Sequence, residues 1–483
     1  MVGLSKIDME WLQEPLRWLF VALVIFVLLQ LWRGKAPPLL PGPTAYGGLL
    51  HLRLGKVHTF AVSTPEYAQQ VLQAQDAAFS HRPATIATTY LTYDRADMVF
   101  AHYGPFWRQM RKLCVMKLFS RRRPGTWLAV RDESAALVRA VARRSGDPVN
   151  LGDLIFNLSM NVTFRAAFGA EAAASDGDGR KQDEIIAIMQ EFSKLFGAFS
   201  IGDFIPWLGW ADPQGINVRL RAARTALDEF IDKIIDEHIK RGKNPDDMDA
   251  DMVDGMLAFL PETKPEKTAG DDLQNTLRLN RDNIKAIILA VRFKLKCDVM
   301  FGGTETVASA IEWAMAEMMH SPDDLLQLQQ ELADTVGLGR NVDESDLNNL
   351  SFLKCVIKET LRVNINVFAM GRDTKYWKDA DTFRPSRFMA GEGEAAVVDF
   401  KGGCFQFLPF GSGRRSCPGM ALGLYSLELV IAQLAHGFNW ALPDGKKPSK
   451  LDMGDIFGLT APRATRLWVV PTPRLTSPLV VDV

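Results

Sequence analysis

Phe410-Gly411-Ser412-Gly413-Arg414-Arg415-Ser416-Cys417-Pro418-Gly419 carries one cysteine on a glycine-shaped loop, and an apolar run from about Met420 to Phe438 follows at once. A cysteine so placed suits a metal. Proline is at home in the first turn of a helix, where its missing N–H is no loss, so the spacing predicts Cys417 as the cap of that helix with Pro418 inside it. The helix dipole and the unpaired amides at such an end favour a thiolate over a thiol. Gly411 and Gly413 permit turn conformations closed to other residues, Gly419 allows close backbone approach, and Arg415 sets a cation two residues from the sulfur. A free cysteine is more often a small apolar core residue, and that bland reading recedes only as further motifs accumulate.

Three more patterns lie upstream. Gly302-Gly303-Thr304-Glu305-Thr306 sits inside an apolar helical segment reaching about Met319. Two glycines there cost about 1 kcal/mol each against alanine, and close approach of a flat ligand supplies a reason for them. Glu305 and Thr306 form an acid and alcohol pair able to pass protons to a bound oxidant. Taken alone, a Gly-kinked core helix with a capping threonine is the simpler account. Glu359-Thr360-Leu361-Arg362 places a carboxylate and a guanidinium at i, i+3 on one helix face, and Phe383 to Phe388 adds Arg387 in a Pro-x-Arg-Phe context. Trp107 and Arg111 fall at i, i+4. Their helix leads through Lys112 and Lys117 to Arg121-Arg122-Arg123, a basic patch suited to an acidic protein partner or simply to water.

The chain has 483 residues, 47% hydrophobic and 10% aromatic, ample for a large core, and its net charge of -1 argues against a nucleic-acid partner. No long Gly/Ser/Pro linker divides it after the first forty residues, so one large domain is expected. The five cysteines, Cys114, Cys297, Cys355, Cys404 and Cys417, are scattered without a CxxC pair, a reducing-compartment pattern with neither a disulfide framework nor a zinc site. Trp18 to Leu29 is an unbroken apolar run, and a Pro-rich hinge from Pro37 to Pro43 follows it. Residues 1–35 therefore read as a membrane anchor ahead of a domain at 36–483; a cleaved signal peptide is the alternative, but no small-residue cleavage site follows. Basic residues are tied across the run and leave its orientation open. Leu49 to Val62 alternates as β structure, and helical periodicity dominates from Pro65 to about His320, with breaks at Glu171 to Glu184 and Pro261 to Asp282. Leu451 to Val470 reads as loops and short strands, which completes a mainly α fold with small sheets at its edges.

The ten-residue loop, Phe-x-x-Gly-x-Arg-x-Cys-x-Gly, resembles the heme-binding signature of the cytochrome P-450 family, the heme-thiolate monooxygenases, and the other motifs resemble that family's oxygen-activation, Glu-x-x-Arg and Trp-x-x-x-Arg patterns. The resemblance implies the cytochrome P-450 fold, a large helical domain with small β-sheets, preceded by an N-terminal transmembrane helix. It implies heme b with Cys417 as the axial iron ligand, Phe410, Gly411 and Gly419 shaping the loop, and Arg415, Trp107 and Arg111 serving the propionates. Glu305 and Thr306 would relay protons to dioxygen; Val307 stands where the family usually has a further hydroxyl, which leaves that pair intact. Glu359, Arg362 and Arg387 would form a buried structural network. The implied partners are NADPH–cytochrome P-450 reductase as electron donor, dioxygen as co-substrate, a small aromatic substrate and the endoplasmic-reticulum membrane, with a single-pass anchor and the domain facing the cytosol.

Longer stretches, Tyr93 to Met98, Phe204 to Trp210, Phe301 to Trp313, Lys401 to Phe405 and Asp452 to Pro462, are similar to the plant ferulate 5-hydroxylases, also called coniferaldehyde 5-hydroxylases. That similarity implies hydroxylation of a phenylpropanoid ring on the way to syringyl lignin, with Phe204, Gly302, Leu459 and Thr460 in the substrate pocket. A flavonoid 3'-hydroxylase and a catalytically inactive, membrane-anchored isoform are the alternatives. Three departures from the family favour the latter. Pro41-Gly42-Pro43 runs almost directly into Tyr46-Gly47-Gly48; Ala290 to Cys297 are inserted upstream of the oxygen motif; and Arg362 is followed at once by Val363-Asn364-Ile365-Asn366, where the family has a proline-rich turn and several strands that line the pocket and give the heme another propionate contact.

Overall fold

Alternating Leu49 to Val62 forms a hairpin, β1 (Leu49–Leu54) against β2 (Val57–Val62), antiparallel with Leu49 opposite Val62 and Leu54 opposite Val57. The computed structural model describes residues 48–116, 124–174, 191, 194–212, 214–242, 252–257, 300–365, 367–391, 394–456 and 460–477. The expected anchor and hinge, the inserted Ala290 to Cys297, Lys117 with Arg121 to Arg123, and Leu459 lie outside these residues.

Helices carry the rest. In α1 (Pro105–Cys114) the proline opens the first turn, and Trp107, Met110, Leu113 and Cys114 bury one face at the spacing a helix requires. Next come α2 (Pro124–Ala142) and α3 (Leu151–Ala174). The break expected at Glu171 is absent up to Ala174, because Ala172, Ala173 and Ala174 are the best helix formers and extend the run. After α4 (Ile216–Arg241), α5 (Met300–His320) lies in the core against both α3 and the cysteine-loop helix α8 (Met420–Gly437). Its buried Ala308, Ala310, Ile311, Ala314, Met315 and Met318 join the same apolar cluster as Val430, Ile431 and Leu434 of α8. That helix is long and apolar enough to cross a membrane, but its central turns are enclosed by the protein core.

Between them, α6 (Pro322–Val336) and α7 (Ser351–Thr360) are joined by a side-chain cap. Glu331 of α6 accepts the N–H groups of Phe352 and Leu353 (2.7 and 3.0 Å) and the Ser351 hydroxyl (2.9 Å), so orphan donors at the start of α7 are satisfied by its neighbour. The second sheet orders β3 (Val149–Asn150), β5 (Trp468–Pro473) and β4 (Phe438–Ala441) with β5 central, all antiparallel. Phe438, expected to end the cysteine-loop helix, instead opens β4.

Candidate active site

The cysteine loop turns on two left-handed glycines, Gly411 and Gly413, both at φ 68°. A β-carbon on Gly413 would stand 2.2 Å from the Leu72 carbonyl oxygen, so space as well as torsion excludes a side chain there. The N–H of Cys417 donates to the Phe410 carbonyl (2.9 Å) and that of Ser416 to Gly413 (3.2 Å), which closes the loop. Cys417 precedes the helix rather than capping it: Gly419 is the cap, and Pro418 lies in the turn. That extra turn brings the N–H groups of Gly419 and Met420 to the sulfur. Crowding by protein raises the Cys417 thiol, while those two amides and Arg111 pull it back toward the thiolate. The residue is nonetheless solvent-accessible.

Arg111 reaches across from α1 and donates from Nη2 to the Ser416 carbonyl (2.7 Å). The guanidinium groups of Arg111 and Arg415 lie over the ring of buried Trp107, at 5.6 and 4.4 Å from its centroid, and Trp107 Nε1 donates to the Met98 carbonyl (2.9 Å). Arg415 sends Nε to Ser80 (2.9 Å), Nη1 to Met98 and Val99 (3.2 and 3.3 Å) and Nη2 to Ala101 (2.6 Å), all carbonyl oxygens. The expected trio thus meets at the cysteine loop, with Arg415 anchored on the carbonyls of Ser80 and of residues 98–101. Just ahead of the latter Asp97 is fully buried, and burial pushes its carboxyl up to about 7 against the pull of the Phe100 and Ala101 amides and of Arg415. Its only signal in the sequence was a short acid inside a stretch read for similarity, Tyr93 to Met98.

Glu305 and Thr306 are half-buried near the start of α5, where the Thr306 hydroxyl donates to the Gly302 carbonyl. The two glycines have different reasons. A β-carbon on Gly303 would sit 3.1 Å from Thr163 Oγ1 of α3, and Thr304 bonds the same hydroxyl (3.3 Å), so Gly303 serves helix packing. Gly302 is exposed with open space before it.

Glu359, Arg362 and Arg387 are brought together in the interior. Glu359 Oε2 accepts Arg362 Nε (2.8 Å), and Oε1 accepts Arg362 Nη2 (2.8 Å), Arg387 Nε (3.0 Å) and the Arg384 N–H (2.8 Å). The remaining guanidinium donors end on the carbonyls of Gly371, Ala380 and Thr382 from Arg362, and of Lys378, Asp379 and Thr382 from Arg387. Of the pocket candidates, Phe204 stacks on Phe199 at 4.2 Å, and its carbonyl takes the Lys56 N–H of the β1–β2 turn (3.2 Å). The Thr460 hydroxyl is buried without a partner among the described residues.

These residues fit a heme. A single cysteine presented on a loop suits an iron that carries its remaining ligands in a macrocycle. Two amides aimed at the sulfur suit a thiolate ligand, and Arg111 beside it suits a carboxylate.

Comparison with known proteins agrees. The family model described as Cytochrome P450 matches residues 43–364 and 362–467, two stretches that meet just after Arg362. Cytochrome P450 84A1 of Arabidopsis thaliana is 53% identical over 523 residues, covering 96% of this chain and 97% of that protein, an alignment longer than the 483-residue chain itself. A flavonoid 3'-monooxygenase of Crocosmia x crocosmiiflora is 34% identical and covers 95% of the chain and 97% of that protein. Among solved structures, a zebrafish cytochrome P450 with progesterone superimposes with a TM-score of 0.70 over 89% of this chain and 97% of its own, at 22% identity, a likeness of fold alone. With the loop geometry, the helical fold and these matches in agreement, the chain belongs to the plant cytochrome P450 family.

Proposed function

We propose that the chain is a heme-thiolate monooxygenase of the ferulate or coniferaldehyde 5-hydroxylase type, with a well-formed heme site and turnover impaired by the break after Arg362. The carrying observation is the Cys417 loop, where a solvent-accessible sulfur receives two backbone amides beside Arg111. In this reading Cys417 is the iron ligand; Arg111 and Arg415 hold the propionate edge against Trp107; Phe410, Gly411 and Gly419 shape the loop. Bound heme supplies the activation of dioxygen. Thr306 and Glu305 hold and pass the protons that reaction consumes, the Thr306 hydroxyl being held in place by Gly302. Glu359, Arg362 and Arg387 brace the core, and Phe204, Gly302 and Thr460, with Leu459 from the sequence, are the substrate-pocket residues of this reading.

Identity of 53% to cytochrome P450 84A1 against 34% to the flavonoid enzyme favours a phenylpropanoid ring over a flavonoid. Electrons come from NADPH through a reductase partner at the endoplasmic-reticulum surface, where residues 1–35 anchor the domain. The inactive reading is supported by one specific observation, that the family match divides at residues 362–364, beside the segment the resemblance reads as missing. The deciding experiment is the ferrous carbon monoxide spectrum of the unmodified chain, with Cys417→Ala as control. A thiolate-type band lost in Cys417→Ala is expected; a band that survives in Cys417→Ala refutes the ligand. Turnover of coniferaldehyde and naringenin is then compared between this chain and a form with the segment after Arg362 restored. Equal turnover by both forms refutes impairment, and turnover of naringenin alone refutes the substrate class.

A further inference from the structure

Residues 93–101 are held in an unusual shape. Tyr93, Asp94 and Arg95 all adopt left-handed torsions, at φ 53°, 60° and 59°, which cost non-glycine residues roughly 1–2 kcal/mol each and persist only where the surroundings over-determine them. One of those constraints is visible at Tyr93, whose hydroxyl bonds Asp228 and whose ring lies 3.5 Å beneath Arg224. At the other end the chain turns sharply around Arg415. Three consecutive-region carbonyls, Met98, Val99 and Ala101, accept its guanidinium, although a turn's carbonyls ordinarily point apart. The N–H groups on the opposite side of the same turn are gathered by one carboxylate: Asp97 Oδ1 accepts Phe100 N–H at 2.7 Å, and Ala101 N–H also bonds this side chain. Asp97 is fully buried, and its second oxygen has no hydrogen-bond partner among the described residues. An acid kept at such a site must serve something, because a buried unsatisfied oxygen costs about 1–3 kcal/mol.

We propose that Asp97 is a positioning residue for Arg415: by tying the amides of the 98–101 turn it aims that turn's carbonyls at the guanidinium and so fixes the cation beside the cysteine loop. The function served, orienting the propionate edge of the cofactor, rests on the heme reading above. The coupling itself does not.

Hydrogen exchange read by mass spectrometry on the full chain separates the two. In Asp97→Ala the amides of Phe100 and Ala101 lose their acceptor, so faster exchange there is expected on any account. If Asp97 acts through Arg415, the peptide covering 411–417 also exchanges roughly fivefold faster or more, the factor that follows from losing about one net hydrogen bond. Arg415→Ala should produce the same rise at 411–417, and the double variant should add nothing to it, since two residues acting in series are not additive. Asp97→Asn keeps an oxygen for both amides and should leave 411–417 at the parental rate; the peptide of α7 (Ser351–Thr360) reports whether each variant is folded. A rise confined to 98–101, or additive effects in the double variant, overturns the proposal. Should Asp97→Ala unfold the α7 peptide as well, Asp97→Asn decides: parental exchange at 411–417 upholds the amide-tying role and accelerated exchange refutes it. On heme-loaded protein the same series is read as the rate of heme transfer to apomyoglobin, with Asp97→Ala faster and Asp97→Asn unchanged; absence of heme in the parent sinks the heme reading and leaves the exchange result standing.

Discussion

Truncating Glu359 to alanine should be the most damaging single change outside the cysteine loop. The carboxylate is wholly buried and accepts four hydrogen bonds, from Arg362 Nε and Nη2, Arg387 Nε and the Arg384 amide, at 2.8 to 3.0 Å. Alanine leaves all four donors without acceptors and two guanidinium charges without a counter-charge. Counting about 1–3 kcal/mol per orphaned donor overshoots, because water and relaxation recover part of it; breaking a buried ion pair from one side costs about 3–5 kcal/mol. Domain stabilities are about 5–15 kcal/mol, so this removes a large fraction. Glu359→Gln should lose less, since one carbonyl still accepts while the amide nitrogen faces Arg362. The internal control is Glu66→Ala, which removes an exposed carboxylate from Lys375 (3.0 Å) and the Tyr376 hydroxyl (2.5 Å) and should shift the midpoint far less. Urea unfolding followed by far-UV circular dichroism reads all three. A Glu359→Ala midpoint as close to the parent as that of Glu66→Ala would refute the reasoning.

Gly413→Ala must adopt φ 68° with its β-carbon 2.2 Å from the Leu72 carbonyl, so we expect a loss of about 2–4 kcal/mol from torsion and overpacking, seen as a lowered urea midpoint; an unchanged midpoint would mean the loop relaxes freely. Thr306→Ala, in a form that turns over, should consume NADPH while releasing peroxide in place of product, and unchanged coupling would reduce that hydroxyl to a helix contact with Gly302. Burial raises Asp97 from 3.8 to about 7, so the folded chain keeps a proton that the unfolded chain has released. Its contribution is therefore fully present below about pH 4 and lost as pH rises through 7. Asp97→Asn removes this dependence, and its stability relative to the parent should improve from pH 5 to pH 8; a gap that stays constant across that range would contradict the raised value.

How much of this was legible beforehand depended on whether a feature is local. The β1–β2 hairpin follows from period-two alternation, and α1 from a proline at its start with apolar residues recurring on one face. Glu359, Arg362 and Arg387 were readable because two of them are a helical turn apart and the third sits in a recognisable Pro-x-Arg-Phe context. Glu171 reads as the start of a charged loop, yet the three alanines that follow carry α3 on to Ala174. The cap of α8 was misplaced by two residues, because propensity favours proline in a first turn whereas the sulfur is served by amides one turn later. Asp97 shows in the sequence only as part of the stretch from Tyr93 to Met98, with no sign of its role. Nothing in a short acid between Ala96 and Met98 announces that the chain will fold its carboxylate inward beneath an arginine more than three hundred residues away.

The segment after Arg362 joins the two kinds of reading. Val363, Ile365 and Val367 alternate with Asn364 and Asn366, a period of two that argues for a strand. Leu361–Ile365 instead forms a wide helical turn continuing α7. The reason is length. Arg362 is fixed beside Glu359 by two bonds, and its Nη1 also reaches the carbonyl of Gly371, nine residues on, at 2.5 Å. A chain tied at both ends of so short a span cannot leave the helix, cross to a sheet and return. Among the described residues β1–β2 pairs as two strands, with Leu49, Leu52, Val57 and Phe60 exposed and Val62 packed against the cluster of Met370, Phe405 and Leu408. After Arg362 a strand-like sequence is thus held as helix, and the divided family match falls at the same residues. That coincidence is why, in the proposed reading, added length between Arg362 and Val363 bears on turnover, while the cysteine loop itself closes on the Phe410 and Gly413 carbonyls and on Arg111.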